Sequence, residues 1–193
     1  MRALLLLSGG LDSITVGAMA HARGELVAAL IVDYGQPHAR WEIPRAVDWC
    51  AARGVRALHA SLPLPGVREA MSIGTGVFGP RVVPGRNLTL IAVAISRAVE
   101  VGASVVLVGC NADDAADYPD CREAFILALD EMACAAYGVR VKAPLVGCSK
   151  AQVGELARLH GVRSDEAWSC YQPVGPGPCG TCNACIARAR AGV

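Results

Sequence analysis

Apolar strand-like runs alternate with helix-like segments along this chain, and that alternation predicts an α/β fold. The expected architecture is a parallel sheet with helices on both faces. Two further observations refine it. A glycine-rich loop, Ser8-Gly9-Gly10-Leu11-Asp12-Ser13, directly follows the first apolar run, as in Rossmann-like folds that hold phosphate there. Four cysteines, Cys170, Cys179, Cys182 and Cys185, cluster near the C-terminus and read as a closed metal site. The chain, 1–193, reads as one domain, with 165–193 as a metal-pinned appendage to it.

In order, Ala3–Leu7 reads as strand, Ser13–Arg23 as helix and Leu26–Val32 as strand. Ile43–Arg53 reads as helix and Val55–Ala60 as a short strand. Pro63–Gly85 is rich in Gly and Pro, has no period, and is the longest loop expected. Leu88–Val101 is apolar almost all round, so a buried helix is expected. Val105–Gly109 reads as strand. Arg122–Tyr137 reads as a helix with Leu127, Ala128, Glu131 and Met132 at helical spacing. Val139–Val141 is a short strand. Ser149 is placed to cap a helix running to His160, where Gly161 stops it. The tail from Asp165 is irregular until a short basic helix after Cys185.

Composition narrows the class. Mean hydropathy is +0.39 and 53% of residues are hydrophobic. The longest uninterrupted apolar stretch is only Leu26–Val32, whereas a membrane-spanning helix needs about 20 apolar residues. The excess reads as buried parallel strands. Ala3–Leu7 is too short for the apolar core of a secretory signal, which takes about 7–15 residues, and Asp12 soon follows. A net charge of +1 and dispersed basic residues give no footprint for nucleic acid. Nine cysteines, five scattered through core-like segments and four clustered, fit a reducing cytoplasm and a metal.

The glycines of the Ser8–Ser13 loop let the backbone approach an anion, and the helix that follows adds partial positive charge. Ser8 and Ser13 can donate hydroxyls; Asp12 suits a magnesium ion or a helix cap. No Gly-Lys-Ser/Thr follows, and no G-x-G-x-x-G is present, so hydride chemistry has no support. The loop resembles the pyrophosphate-loop signature SGGxDS. Enzymes bearing it cleave ATP between the α and β phosphates to activate an oxygen as its adenylate.

The cysteine spacing C-x8-C-x2-C-x2-C suits tetrahedral zinc, and four protein ligands leave no open position, so the metal is expected to be structural. An iron–sulfur cluster also takes four cysteines. Disulfides fit less well, because three sulfurs crowd one knuckle.

Of three more segments, the first and last follow strands, where ligands bind in open α/β sheets, and the second precedes the buried helix. They are Asp33-Tyr34-Gly35-Gln36-Pro37-His38, Pro84-Gly85-Arg86-Asn87 and Tyr118-Pro119-Asp120-Cys121-Arg122. Together with Pro144-Leu145, Lys150, Cys170-Tyr171 and Cys179-Gly180-Thr181-Cys182-Asn183-Ala184-Cys185, they resemble the 7-cyano-7-deazaguanine synthase (QueC) family, in order and over almost the whole chain. The Pro63–Gly85 segment is shorter than that pattern, and the chain ends eight residues after Cys185.

The resemblance implies a pyrophosphate-loop ATPase fold with a zinc knuckle. It implies that ATP, with magnesium, activates the carboxylate of 7-carboxy-7-deazaguanine, and that ammonia then gives an amide and finally the nitrile. ATP is expected over Leu7, Ser8, Gly9, Gly10, Leu11, Asp12 and Ser13. The base is expected against Tyr34, Gln36, His38, Arg86, Asn87 and Tyr118. Asp12, Arg86, Asp120, Arg122 and Lys150 are the expected catalytic groups, the cations among them stabilising charge. No general base is singled out among Tyr118, Asp120 and His38. A homodimer, with neither membrane nor nucleic acid as partner, completes the expectation. Relatives on the same scaffold that stop at an amide or modify a protein are one alternative. A zinc-knuckle RNA-binding module is another.

Overall fold

The computed structural model describes residues 1–67 and 82–192; of the expected long loop, positions 68–81 lie outside the described residues. The elements run β1 (Ala3–Leu6), α1 (Leu11–Ala22), β2 (Leu26–Asp33), α2 (Ala39–Arg53), β3 (Ala57–Ser61), α3 (Arg86–Glu100) and β4 (Val105–Leu107). They continue with α4 (Ala112–Asp117), α5 (Glu123–Tyr137), β5 (Arg140–Lys142), α6 (Lys150–Leu159) and α7 (Asn183–Ala191). Two 3-10 turns, Pro119–Cys121 and Ser164–Glu166, precede α5 and the knuckle.

Among the described residues the strands form one sheet in the order β3-β2-β1-β4-β5, every neighbouring pair parallel. Alternate strand residues feed two cores. Leu4, Leu30, Val32 and Val106 pack with Ile91, Ile95 and Leu129 of α3 and α5. Leu5, Ile31 and Leu107 pack with Ile14, Trp49 and Val153 of α1, α2 and α6. The α/β class, with helices on both faces, is as the alternation predicts. Continuous apolar runs are what strands buried on both faces require.

Several expected elements differ in detail. α1 begins at Leu11, so Asp12 and Ser13 sit in its first turn rather than in the loop. α2 begins at Ala39 and runs through Pro44, which reads locally as a boundary. α4 was not expected; buried Asn111 caps it, its Oδ1 accepting the Asp114 amide at 2.9 Å. α7 begins before Cys185. α3 is not buried all round: Leu90, Ile91, Ala94, Ile95 and Ala98 face the core, while Leu88 and Val99 are exposed.

In α5 the buried positions are Ile126, Leu129, Asp130 and Ala133, and the expected stripe residues Leu127 and Met132 are exposed. Apolar residues occur all round this helix, so spacing does not choose a face. The choice is made by β5: Asp130 accepts the Val141 amide at 2.7 Å and the Arg140 guanidinium Nε at 2.8 Å. Those Arg140 bonds hold the Asp130 carboxyl below the usual carboxylate range, against its burial.

α6 matches its expectation, with Ser149 and Gln152 forming a reciprocal capping box. Its Gly154 is where α7 docks. A Cβ there would sit 1.9 Å from the Ala191 carbonyl oxygen, and Arg158 Nη1 donates to that same oxygen at 2.8 Å. A mid-helix Gly→Ala change ordinarily stabilises by ~1 kcal/mol. Here the backbone clash outweighs that gain, so Gly154→Ala is expected to lower the melting temperature by several degrees. A thermal melt showing a rise instead would contradict this close packing.

Candidate active site

Strand order reverses between β1 and β4, and their carboxyl ends open the crevice in which such sheets bind ligands. The loop from Leu7 to Gly10 crosses it. Gly9 has φ +86°, and a Cβ on it would lie 2.3 Å from the Glu42 carbonyl oxygen, so this turn admits only glycine. Ser8 Oγ accepts the Gly10 amide at 3.2 Å and lies 3.0 Å from Ser13 Oγ. Ser13 Oγ donates to the Gly10 carbonyl at 3.1 Å. Gly10 is the N-cap of α1 and supplies no side-chain cap, so the first turn of α1 is left open to an anion. Gly109, just past β4, packs onto it: a Cβ there would meet the Ser13 amide nitrogen at 2.7 Å.

Ser8, Gly10, Leu11 and Asp12 form one wall of a cavity of about 640 Å³. Opposite stand Lys150, Asp113, Asp114 and Tyr118, and the knuckle supplies Ser169, Tyr171 and Asn183. Lys150 Nζ donates to both Asp12 oxygens, at 2.8 and 2.6 Å. The Lys150 amide donates to Asp113 Oδ2 at 2.9 Å. Burial, with the Asp12 charge beside it, pushes the Asp114 carboxyl up to about 6, Lys150 opposing.

These carboxylates fit magnesium as it binds with nucleotides, through one or two acids plus phosphate oxygens. Among the described residues, no three carboxylate oxygens converge into a preformed ion site. Asp12 and Asp114, close enough to interact by charge, are the side chains that could hold such an ion.

A second cavity, about 200 Å³, adjoins the first; Ser8, Glu42, Asp114 and Tyr171 line both. Its other walls include Leu7, Ser13, Tyr34, Gln36, His38, Arg86 and Asn87. Burial pushes the Tyr34 hydroxyl up to about 12, with Arg86 opposing. Burial works against the Arg86 charge, but Tyr34 and Asp120 more than offset it and hold the guanidinium above its ordinary range. Asn87 takes its place from Asp120: its amide donates to Asp120 Oδ2 at 3.1 Å.

The structure thus gathers nearly all the expected site residues around two joined cavities. Three expected positions stand elsewhere. Gly9 is packed behind the loop against Glu42 and Trp168. Asp120 braces the start of α3 through Asn87 rather than lining a cavity. Arg122 is exposed and donates to the Ala115 carbonyl at 3.2 Å. Among the described residues, Lys150 and Arg86 are therefore the cations the cavities present, because the turn at Pro119–Cys121 carries Arg122 outward. Sequence reasoning missed Glu42, Asp113 and Asp114. The acidic run Asp113-Asp114 directly after a strand end was a legible signal; Glu42 had none beyond its nearness to His38.

The four cysteine sulfurs lie within 4.8 Å of one another. Cys170 and Cys179 are 3.6 Å apart, and Cys179 and Cys185 are 4.0 Å apart. A tetrahedron with Zn–S near 2.3 Å has edges of about 3.8 Å, so the group fits zinc and is too open for disulfides. Amides of Thr181 and Cys182 bring the Cys179 thiol down to about 6, toward the thiolate a metal requires.

Trp168 stacks on Trp41 of α2 at 5.5 Å, and its amide donates to the Gly9 carbonyl at 2.9 Å. Tyr171 sits edge-on to His38. These rings of the knuckle are used in packing. No helix among the described residues is long and apolar enough to cross a membrane.

Comparison with known proteins agrees with this architecture. The family described as "Queuosine biosynthesis protein QueC" matches residues 2–192. A 7-cyano-7-deazaguanine synthase of Anaeromyxobacter sp. (strain Fw109-5) is 39% identical, covering 97% of this chain and 89% of that protein. One from Synechococcus sp. (strain CC9605) is 36% identical, covering 96% and 90%. Among solved structures, the U34-tRNA thiolase NcsA from Methanococcus maripaludis, with its [4Fe-4S] cluster, is similar at TM-score 0.59 and 16% identity. It covers 90% of this chain, which spans 62% of that one. An NH3-dependent NAD synthetase from Campylobacter jejuni is similar at TM-score 0.53 and 15% identity, covering 86% and 66%. These structural likenesses show the fold alone. With the family matched from residue 2 to 192, the chain belongs to the QueC family.

Proposed function

We propose that this chain is an ATP-dependent 7-cyano-7-deazaguanine synthase. One observation carries the reading: the open first turn of α1, flanked by the Asp12–Lys150 pair, faces a cavity sized for a nucleotide, and a smaller base-sized cavity joins it at Ser8.

The chemistry proceeds in two activations. A carboxylate oxygen of 7-carboxy-7-deazaguanine attacks the α-phosphorus of ATP, and pyrophosphate leaves. Ammonia then displaces AMP to give the amide. The amide oxygen attacks a second ATP in the same way. Departure of that oxygen with AMP, and of two protons from nitrogen, leaves the nitrile. The first turn of α1 and Ser8 hold the phosphates, and Lys150, released from Asp12 by the arriving phosphates, stabilises the charge that develops. Asp12 and Asp114 would hold magnesium, which would supply further charge neutralisation there. Arg86 orients the reacting carboxylate from the smaller cavity. The zinc at Cys170, Cys179, Cys182 and Cys185 is structural in this reading. A reducing, cytoplasmic setting suits a chain whose nine cysteines form no disulfide.

Mass spectrometry of the base after incubation with ATP, magnesium and ammonium tests the reading. The expected products are the amide, then a nitrile lighter by the elements of water, with AMP released in step with both. An amide that accumulates without nitrile would assign the chain to amide-forming relatives. ATP cleavage that ignores the base would reject the reaction.

A further inference from the structure

Glu42 is an acid at the junction of the two cavities to which the ATP chemistry assigns no role. It lines both cavities, and the residue is only 9% exposed. His38 Nε2 lies 3.3 Å from its Oε1, and His38 is itself buried against Tyr171. No other ion-pairing side chain reaches it among the described residues, and none of their donors makes a well-aligned hydrogen bond to it. A carboxylate withdrawn from water without donors is costly. An acid in the first turn of a helix is common, but that role needs neither burial nor a place at the junction of two cavities.

The smaller cavity holds few charges. Among the described residues, Arg86 is its cation, and Glu42 and Asp114 are its acids. The proposed substrate carries a matching pair of ends. One edge of its guanine-type ring presents a ring N–H beside an exocyclic amino group, two parallel donors spaced for the two oxygens of a carboxylate. The other end is an anionic carboxylate.

Resting on the function proposed above, we infer that Glu42 is the specificity-determining residue for the base. Its carboxylate accepts the ring N–H and the 2-amino group, with His38 Nε2 beside it at 3.3 Å. The same charge repels the substrate's own carboxylate, which turns toward Arg86 and the Ser8 end, where the α-phosphate arrives. A base without the 2-amino group forfeits one of the two bonds and leaves the buried carboxylate half-served. A site built to hydrogen-bond a group discriminates strongly against its absence.

The test compares 7-carboxy-7-deazaguanine with its analogue lacking the 2-amino group, by calorimetric binding and by turnover in parallel. The wild-type protein is expected to prefer the amino-bearing base about 100-fold, mostly in Kd and KM. Glu42→Gln is expected to raise Kd for that base and to reduce the preference to within about 5-fold, because an amide offers one acceptor in place of two. ATP affinity and zinc content are expected to stay unchanged. Equal wild-type affinity for the two bases would overturn the inference whether or not the variant folds. So would a variant that keeps the preference, or one that loses ATP affinity instead. Tight, amino-dependent base binding without turnover would reject the reaction and leave the recognition standing.

Discussion

Asp12→Ala is expected to lower kcat/KM for 7-carboxy-7-deazaguanine by about 10³-fold or more, with one zinc per chain retained. Both Asp12 oxygens are engaged by Lys150, so the carboxylate fixes the cation at the mouth of α1; in the proposed function it also binds magnesium when phosphates displace Lys150. Removing a single preorganised electrostatic group from such a site costs about 10²–10³-fold. Here one change removes the metal ligand and also frees Lys150. The fold is expected to survive. The pair borders an open cavity, so the stranded ammonium is solvated rather than sealed in protein. Steady-state kinetics beside metal analysis checks both halves. Near-normal turnover would remove the Ser8–Ser13 loop from the ATP site. Asp12→Asn, which keeps shape but not charge, is expected to fall almost as far.

Cys182→Ser is expected to destabilise the protein before it alters any chemical step. Cys182 is buried, it is the N-cap of α7, and its sulfur is one vertex of the four-sulfur cluster. Metal binding at a structural site is folding free energy. A loss of ~4 kcal/mol, at roughly 2–4 °C per kcal/mol for a chain of this size, lowers Tm by about 10 °C.

From the sequence, the proposed zinc and ATP sites read as separate in their chemistry; the structure brings the four-cysteine segment against the Ser8–Ser13 loop. Trp168 donates its amide to Gly9, Tyr171 packs on His38, and knuckle residues wall the larger cavity. Chelation of the zinc is therefore expected to weaken ATP binding as well as the fold. The check is a melt with calorimetry, before and after chelator. A fully folded, ATP-competent, metal-free protein would defeat the assignment, as would iron and inorganic sulfide in place of zinc.

The helices show where local pattern runs out. The Ser149 cap with Gln152, and Gly161 just past His160, are short-range chemistry and could be read from the chain. The buried face of α5 could not. It is fixed by Arg140 and the Val141 amide, which reach Asp130 only once β5 lies beside α5 in the sheet. α4 was missed for a related reason: its cap, Asn111, is a single polar residue inside an acidic stretch that reads as loop.

The sequence by itself determined the α/β class, the glycine turn after β1, the cluster of four cysteines and the segments that border the cavities. Each of these is encoded by residue type at short spacing, which needs no knowledge of distant partners. Only the tertiary structure decided which polar groups face the cavities. It paired Lys150 with Asp12 across most of the chain and raised Asp114 by burial. It turned Asp120 and Arg122 away from the cavities, and it placed Glu42 where two cavities meet. Burial and charge proximity are properties of three-dimensional neighbours. The parallel crossovers that bring those neighbours together leave no local trace in the chain.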